Sequence, residues 1–538
     1  MAKLESKALV PVIVEGEGTD RLIISPYPKE ERSRALLVAL DQNLEAARIP
    51  LNRARFVQIT TGNGDHYLAA LNQYYLRVTV GPELISKLTA IGAQLVDPLQ
   101  FHFVRRLGDF YGDKTDLDLS LIIERELEIW VGIRAELRFG DGLVRGEWGH
   151  REAIEREPNS DRRHLLYHSL HSRNTELAEV MIRLREKRNE FAKHYGHTNF
   201  YDRKLKETYG LTRNEAQRLR TEVYNSALPY YTRILDRALL EAKADHLSQP
   251  DCWYISDNIS PDAVPNKDQT SVSDSQVLFA QLVRLWGLEK GLSKLDIDIS
   301  TRPGKELARC CPIDPPHDVR VVLNPGSASI YELATTFEEL GHGMHFSHID
   351  ANLPFVFRSS DHGVKIWTEA MASLFVGMLK EPEFIKYTGV SEKELQRWCQ
   401  SGIEGRLCSL VACELRLRFE EAFYGNEGMT QLQANELWRQ LNENIDPRVL
   451  VENSSWANDF YLGEYPVYTL NYVLADLVAA QIRSYGRRKF DSLLSPEFGK
   501  FLKEQCFSPG FSEPWRELLQ KVTGEPLNPG YWIDEIKV

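Results

Sequence analysis

The residues that decide the fold read YELATTFEELGHGMH, from Tyr331 to His345. Inside this stretch, Glu338-Glu339-Leu-Gly-His342 matches the metal-binding pattern H-E-x-x-H at every position except the first, where Glu replaces His. In that pattern the outer residues hold zinc and the inner Glu is the general base. On a helix, positions 338 and 342 lie about 40° apart and roughly one turn apart, so both side chains can face one ion. His345 falls on the same face a further turn along.

A second helical segment contributes another acidic side chain. Residues 365–379 contain Trp367-Thr-Glu369-Ala-Met-Ala-Ser373, in which Glu369 stands among apolar neighbours. A lone carboxylate on an apolar helix face is costly unless it is paired or bound to a metal. Glu369 is therefore the candidate third ligand, and His345 is the substitute if Glu338 does not coordinate.

The rest of the chain has mainly helical periodicity. Apolar residues recur at three- and four-residue spacing over 33–48, 116–137, 176–195, 213–245, 393–423 and 430–443. The segment 247–275 is rich in Ser, Pro, Asp and Asn and is expected to be a long irregular connection. The clearest strand is Val319–Leu323, which is β-branched and bounded by Pro316 and Pro325.

Composition excludes several classes of protein. The chain has 538 residues, of which 43% are hydrophobic, and a formal charge of −12, so it lacks the broad basic surface of a nucleic-acid or membrane-surface protein. Its seven cysteines are an odd number without C-x-x-C spacing, which is typical of reduced thiols in a cytoplasmic protein. No apolar stretch approaches the ~18 residues that a membrane-spanning helix requires. We therefore expect a cytoplasmic protein with neither a nucleic-acid nor a membrane partner.

These motifs resemble those of the mainly helical gluzincin metallopeptidases, which include thimet oligopeptidase, oligopeptidase F, angiotensin-converting enzyme and carboxypeptidase Taq. Their pattern H-E-x-G-H-x-x-H, followed by a Glu ligand on a second helix, becomes Glu338-Glu339-x-Gly-His342-x-x-His345 and Glu369. A second patch, YLGEYPVYTLNY from residue 461 to 472, is similar to the tyrosine-rich segment that closes over the substrate in this group.

The resemblance implies an all-α, elongated, two-lobed fold with a deep central cleft and a small β-sheet near the metal site. An N-terminal helical lobe would span 1–246 and a metal-binding catalytic lobe 247–538, interleaved in one continuous fold. The strand with Val319, Val321 and Leu323 would pair with an extended peptide substrate. Hydrogen bonds to the oxyanion would come from the tyrosines, which are Tyr461, Tyr465, Tyr468 and Tyr472.

Glu in place of the first His changes the chemistry expected of the metal. A divalent ion with two carboxylates and one imidazole is formally neutral, which makes it a weaker Lewis acid than the family's centre. Zinc remains the first choice, and the oxygen-rich ligand set moves the preference toward Mn or Fe. In the angiotensin-converting branch of this group, an Asp one turn after the Glu ligand supports the first His of the pattern. Glu338 replaces that His in this chain. Ser373 stands at the position of that Asp and can donate a hydrogen bond to Glu338. Ser373 and His345 are the residues expected to support the ligands without binding the ion.

Three functions remain open on these residues. The first is a metallopeptidase-like hydrolase that cleaves short peptides, with Glu339 as general base. The second is a peptidase fold repurposed for another reaction, dependent on Fe or Mn, on an amino-acid or peptide derivative. The third is a non-catalytic peptide-binding pseudopeptidase. Against all three, Glu338 and Glu339 could be solvated helix residues, His345 a packed helix residue, and the tyrosines ordinary core.

Overall fold

The computed structural model describes residues 30–61, 65–78, 80, 82–112, 117–139, 144–258, 272–302, 305, 308–323, 330–359, 365–388 and 392–537. Helices make up 74% of this part, and the sheets are few and small. The predicted class, a mainly helical fold with a small β element, is confirmed. No helix within these ranges is long and apolar enough to cross a bilayer.

The helices follow in chain order, with bounds that local sequence often explains. Thr212 and Thr430, for example, are the N-caps of two helices. In each case the Thr side chain accepts a hydrogen bond from the backbone N–H of the third helical residue, whose own side chain accepts from the backbone N–H of the Thr, which is the capping-box arrangement. The helices are α1 Glu31–Thr61, α2 Asp65–Val78, α3 Pro82–Gly92, α4 Pro98–Gly112, α5 Leu117–Ala135, α6 Gly146–Arg156, α7 Ser160–Leu170, α8 Asn174–His194, α9 Phe200–Lys204, α10 Arg213–Ala242, α11 Gln249–Asn258, α12 Val272–Leu285, α13 Glu289–Leu292, α14 Ile330–Ser347, α15 Phe355–Arg358, α16 Lys365–Met378, α17 Pro382–Ile385, α18 Glu392–Gly425, α19 Gln431–Ile445, α20 Phe460–Gly463, α21 Thr469–Lys489, α22 Pro496–Phe501, α23 Trp515–Thr523 and α24 Gly530–Glu535.

Seven short strands form three sheets in the described part of the chain. They are β1 Arg138–Phe139, β2 Val144–Arg145, β3 Leu247–Ser248, β4 Leu295–Asp298, β5 Arg309–Asp314, β6 Asp318–Val322 and β7 Val449–Leu450. The strands β1 and β2 pair antiparallel, and β3 and β7 pair parallel. The third sheet has the order β4-β6-β5, with β6 parallel to β4 and antiparallel to β5. The predicted strand is thus the central strand of the largest sheet.

The predicted irregular connection at 247–275 is wrong at both of its described ends, 247–258 and 272–275. Residues 247–248 form β3, and α11 follows directly. The polar residues that suggested a loop make tertiary contacts instead, since Asp251 accepts hydrogen bonds from Arg163, Ser160 and Ser248. At the other end, residues 272–275 belong to α12, and the middle of that prediction, 259–271, lies outside the described residues.

Two glycines bring α14 close to its neighbours on both sides. A Cβ on Gly341 would lie 2.9 Å from Cδ2 of Phe375 in α16. A Cβ on Gly343 would lie 3.1 Å from Cγ2 of Val321 in β6. The helix α14 therefore lies between α16 and the three-stranded sheet, and α21 packs along the far side of α16. The main hydrophobic core surrounds these elements and includes residues from both sides of position 247.

Candidate metal site

Three predicted ligand side chains converge where α14 meets α16. Glu338 and His342 come from consecutive turns of α14, and Glu369 comes from the second turn of α16. Each offers one ligand atom, and these atoms all lie within 4.8 Å of one another. The structure therefore brings together two side chains that helix geometry placed on one face and a third that is distant in sequence.

His342 is held from both ring nitrogens. Its Nδ1 lies 3.1 Å from Oγ1 of Thr368, and its Nε2 lies 3.4 Å from Oε2 of Glu369. Burial acts to lower the pKa of His342, but the three surrounding carboxylates raise it to about 9. A hydrogen bond at Nδ1 leaves Nε2 directed at the carboxylate cluster, which is the arrangement of a metal-binding imidazole.

The carboxylates around this imidazole are poorly compensated. Burial, and then repulsion by Glu339 and Glu369, raise the pKa of Glu338 above its usual range. Burial also raises the pKa of Glu339, although His342 acts in the opposite direction. Burial would raise the pKa of Glu369 too, but its contact with His342 lowers it overall. A largely buried group of three carboxylates and one imidazole fits a divalent cation, because such an ion supplies the missing positive charge.

Glu339 lies beside the sheet. Its Oε2 accepts a hydrogen bond from the backbone N–H of Cys310 in β5. Burial raises the pKa of the Cys310 thiol well above its usual range, and the Glu339 carboxylate contributes to that shift. The thiol is therefore protonated and is not a nucleophile. This hydrogen bond orients the Glu339 side chain next to the three proposed ligands, and Glu339 is not itself one of them.

The four predicted tyrosines form one aromatic group against Glu369. The hydroxyl of Tyr468 donates to Oε1 of Glu369 at 2.8 Å. The ring centroid of Tyr468 lies 5.7 Å from that of Tyr465, 5.4 Å from that of Tyr472 and 6.5 Å from that of Tyr461. Tyr461 and Tyr472 hydrogen-bond to each other. The cluster is thus part of the site's wall, and oxyanion binding by its members stays a prediction.

His345 does not serve as a substitute ligand in this arrangement. Its ring is fully buried against Phe507 and Phe511, with centroids 5.9 and 5.8 Å away. Neither ring nitrogen has a hydrogen-bond partner among the described residues, and burial lowers the pKa of His345 to about 3. The position of His345 on the helix face predicted that its ring lies near the ion. Packing around this turn of the helix instead directs the ring into an aromatic pocket. The expectation that His345 supports the ligands from behind is wrong for the same reason.

Ser373 is fixed through its backbone. Its carbonyl accepts a hydrogen bond from Nη1 of Arg483 at 3.2 Å. A bond from its hydroxyl to Glu338 stays a prediction. The hydroxyl that contacts the predicted ligand His342 belongs to Thr368.

The predicted substrate-binding strand needs correction. Val319, Val321 and Leu323 are buried, and β6 pairs with β4 on one side and β5 on the other. A strand with both edges paired has no free backbone groups for an added peptide strand. The alternation of β-branched residues indicated a strand but carried no information on its place in the sheet.

Sequence reasoning missed the residues that hold these groups in place. Thr368 directly precedes Glu369, yet a Thr in an apolar helix gives no distinct signal. The Cys310 N–H is a backbone group, which no motif reveals. Lys365 was also missed: its Nζ lies 5.2 Å from the ring centroid of Tyr468, and its charge acts on Glu369. Its place four residues before Glu369 on a helix was the only available signal.

A comparison with solved structures finds a similar fold over almost the whole chain. The M32 carboxypeptidase from Deinococcus radiodurans R1 superposes with a TM-score of 0.63, covering 94% of this chain and 97% of that one at 13% sequence identity. No protein-family profile matches the sequence, and a search of curated proteins finds no relative. At this identity the likeness establishes the fold alone, which is mainly helical in both chains.

Proposed function

We propose that this protein is a metal-dependent hydrolase of short peptides that acts through a variant E-E-x-x-H site. The observation that carries the proposal is the convergence of Glu338, His342 and Glu369 within 4.8 Å, with Glu339 beside them. The likeness in fold to a carboxypeptidase supports it. Zinc is the metal we propose first. None of the six cysteines whose side chains are described forms a disulfide, which agrees with the cytoplasmic location that we also propose.

A divalent cation held by these three side chains would supply Lewis acidity to the scissile carbonyl and to water. The carboxylate of Glu339 takes a proton from the attacking water as the carbon–oxygen bond forms. Glu339 then returns this proton to the nitrogen as the carbon–nitrogen bond breaks, so the products are a carboxylate and an amine. Burial favours the protonated form of Glu339, which suits it to the second step. The tyrosine hydroxyls near Tyr468 would donate to the oxygen that gains charge.

Replacing Glu339 tests this proposal directly. We expect Glu339→Gln to lower kcat/KM for short peptides by about 10²- to 10⁴-fold, the usual contribution of a general base. Glu339 is not a proposed ligand, so bound metal should stay stoichiometric. Cleavage is followed by mass spectrometry on a peptide mixture, with and without chelator. Glu443→Gln, an exposed position on α19, is the control. Chelator-resistant cleavage, or unchanged turnover in Glu339→Gln, would contradict the proposal.

A second function is favoured by the ligand set itself. Two carboxylates and one imidazole suit Mn or Fe better than the ligands of a typical zinc peptidase do. A different reaction on an amino-acid or peptide derivative is therefore the alternative. Glu338→His separates the two: peptidase activity should persist or rise under the first function, whereas native activity should fall under the second. If neither the wild-type protein nor the variant turns over a substrate in a metal-dependent way, both catalytic functions are contradicted and non-catalytic peptide binding remains.

A further inference from the structure

We propose that four charged side chains behind the site, the buried Arg483 and the partly buried Arg406, Asp476 and Glu535, position Glu369 by tying α16 to α21 and to the C-terminal helix α24. We call this group the rear ion cluster. The inference rests on the proposed metal function, since it concerns a proposed ligand. It makes Glu535 a positioning residue for a site that its own side chain does not contact.

Glu535 is the centre of the cluster. Its Oε1 accepts from Nε of Arg483 at 3.0 Å, and its Oε2 accepts from Nη2 of the same residue at 2.7 Å. The same Oε2 accepts from Nη1 of Arg406 at 3.1 Å. Arg406 also donates from Nε to Asp476 at 3.3 Å. One carboxylate on a six-residue helix thus holds arginines from both α18 and α21.

Arg483 carries the connection from Glu535 to α16. Its Nη1 donates to the carbonyl of Ser373, which lies one helical turn after Glu369. The guanidinium also lies directly over Gly377, where a Cβ would come within 2.6 Å of Nη1. The side chain of Arg483 is only 4% exposed, so its position is set by these contacts rather than by solvent. Glycine at 377 therefore leaves the space that the arginine needs to reach the helix backbone.

The chemistry of the cluster makes its geometry sensitive to a single change. A bidentate arginine–carboxylate pair fixes distance and angle together. Removing the carboxylate leaves the buried guanidinium of Arg483 and the partly buried one of Arg406 short of compensating charge, and they will move toward other acceptors. Arg483 then no longer anchors Ser373, and α16 gains freedom against α21. Metal ligands tolerate displacements of only about 0.5 Å, so Glu369 should lose part of its affinity for the ion.

The test measures metal affinity in the full chain. Zn²⁺ is titrated into metal-free protein against a fluorescent chelator, at a temperature far below the thermal midpoint of each variant. We expect Glu535→Gln to weaken zinc binding by about 10-fold, as replacements behind metal ligands commonly do. Asp534→Asn on the same helix is the matched control, because Asp534 pairs at the surface with Lys537 and is 71% exposed. Its zinc affinity should be unchanged.

A second variant reaches the same contact from the other side without changing charge. Gly377→Ala should displace the Arg483 guanidinium and weaken zinc binding as well. A lower thermal midpoint with unchanged zinc affinity in both Glu535→Gln and Gly377→Ala would overturn the proposal, since the cluster would then act on stability alone.

Amide hydrogen exchange separates this inference from the proposed function. Glu535→Gln should speed exchange in α16, and Asp534→Asn should not. If the wild-type protein binds neither Zn²⁺ nor Mn²⁺, the proposed function falls, and exchange in α16 still decides on the cluster. Faster exchange there would support positioning of α16, and unchanged exchange would refute it.

Discussion

Val467 shows how a single residue is held in an unfavourable conformation beside the site. Its φ is 64°, in the left-handed region that β-branched residues avoid. Its N–H donates to Oε1 of Glu420, and its carbonyl accepts from the hydroxyl of Tyr209 at 2.6 Å. The next residue is Tyr468, which donates to Glu369. These bonds fix the backbone from which Tyr468 reaches the proposed ligand, and strain of this kind is commonly found at functional sites.

Glu420 leads to a pH-dependent stability. Burial raises its pKa from 4.5 to about 8, so the folded state binds its proton more tightly than the unfolded state does. Its contribution to the free energy of unfolding is therefore present below about pH 4.5 and lost as the pH rises through about 8. We expect Glu420→Gln to reduce the loss of stability across this interval. Urea unfolding from pH 5 to 9, with chelator present throughout, measures it. If the free energy of unfolding falls equally with pH in the wild-type protein and in Glu420→Gln, the expectation is contradicted.

Between elements, the contact of α14 with α16 decides whether the proposed ligands meet. Gly341 lies at the crossing, where an added Cβ would be 3.2 Å from the backbone Cα of Ala372 and 2.9 Å from Phe375. Neither neighbour can move without shifting α16, because both belong to its packed face. The glycine is needed for close approach rather than for a turn.

Gly341→Ala should therefore destabilise the protein by about 1–3 kcal/mol, the usual cost of overpacking. It should also weaken zinc binding, since Glu369 would move away from His342. Gly405→Ala in α18 is the control, because nothing lies within 4 Å of its added Cβ. That change should be neutral or stabilise by up to about 1 kcal/mol. Chemical denaturation and zinc titration measure both variants. Equal effects of the two substitutions would show that close packing at Gly341 is not the cause.

For the molecule as a whole, binding at the junction of two core helices couples metal affinity to folding. Glu338, His342 and Glu369 meet only when α14 and α16 are packed, so the unfolded chain lacks the site. Zinc at 100 times its Kd should raise the free energy of unfolding by about 2.7 kcal/mol. His342→Ala should abolish most of this gain, whereas His246→Ala, an exposed position, should preserve it. Thermal unfolding with zinc and with chelator measures the difference. Equal stabilisation of the two variants would indicate zinc bound elsewhere.

The prediction from sequence was strongest where the determining interactions are local. The six segments with helical periodicity coincide with α1, α5, α8, α10, α18 and α19. The β-branched stretch coincides with β6. It failed where long-range contacts matter. The polar segment predicted as irregular contains α11, whose Asp251 pairs with Arg163, and the strand predicted to bind a peptide lies between β4 and β5.

The sequence by itself determined the mainly helical class and placed Glu338 and His342 on one helix face, because helix periodicity depends on residues close in the chain. Only the tertiary structure decided that Glu369 comes within reach of them, that the Thr368 hydroxyl contacts His342, and that His345 packs away among phenylalanines. Those outcomes depend on how α14 packs against α16 and the sheet. Packing of that kind depends on the shapes of side chains far apart in sequence, which no local pattern contains.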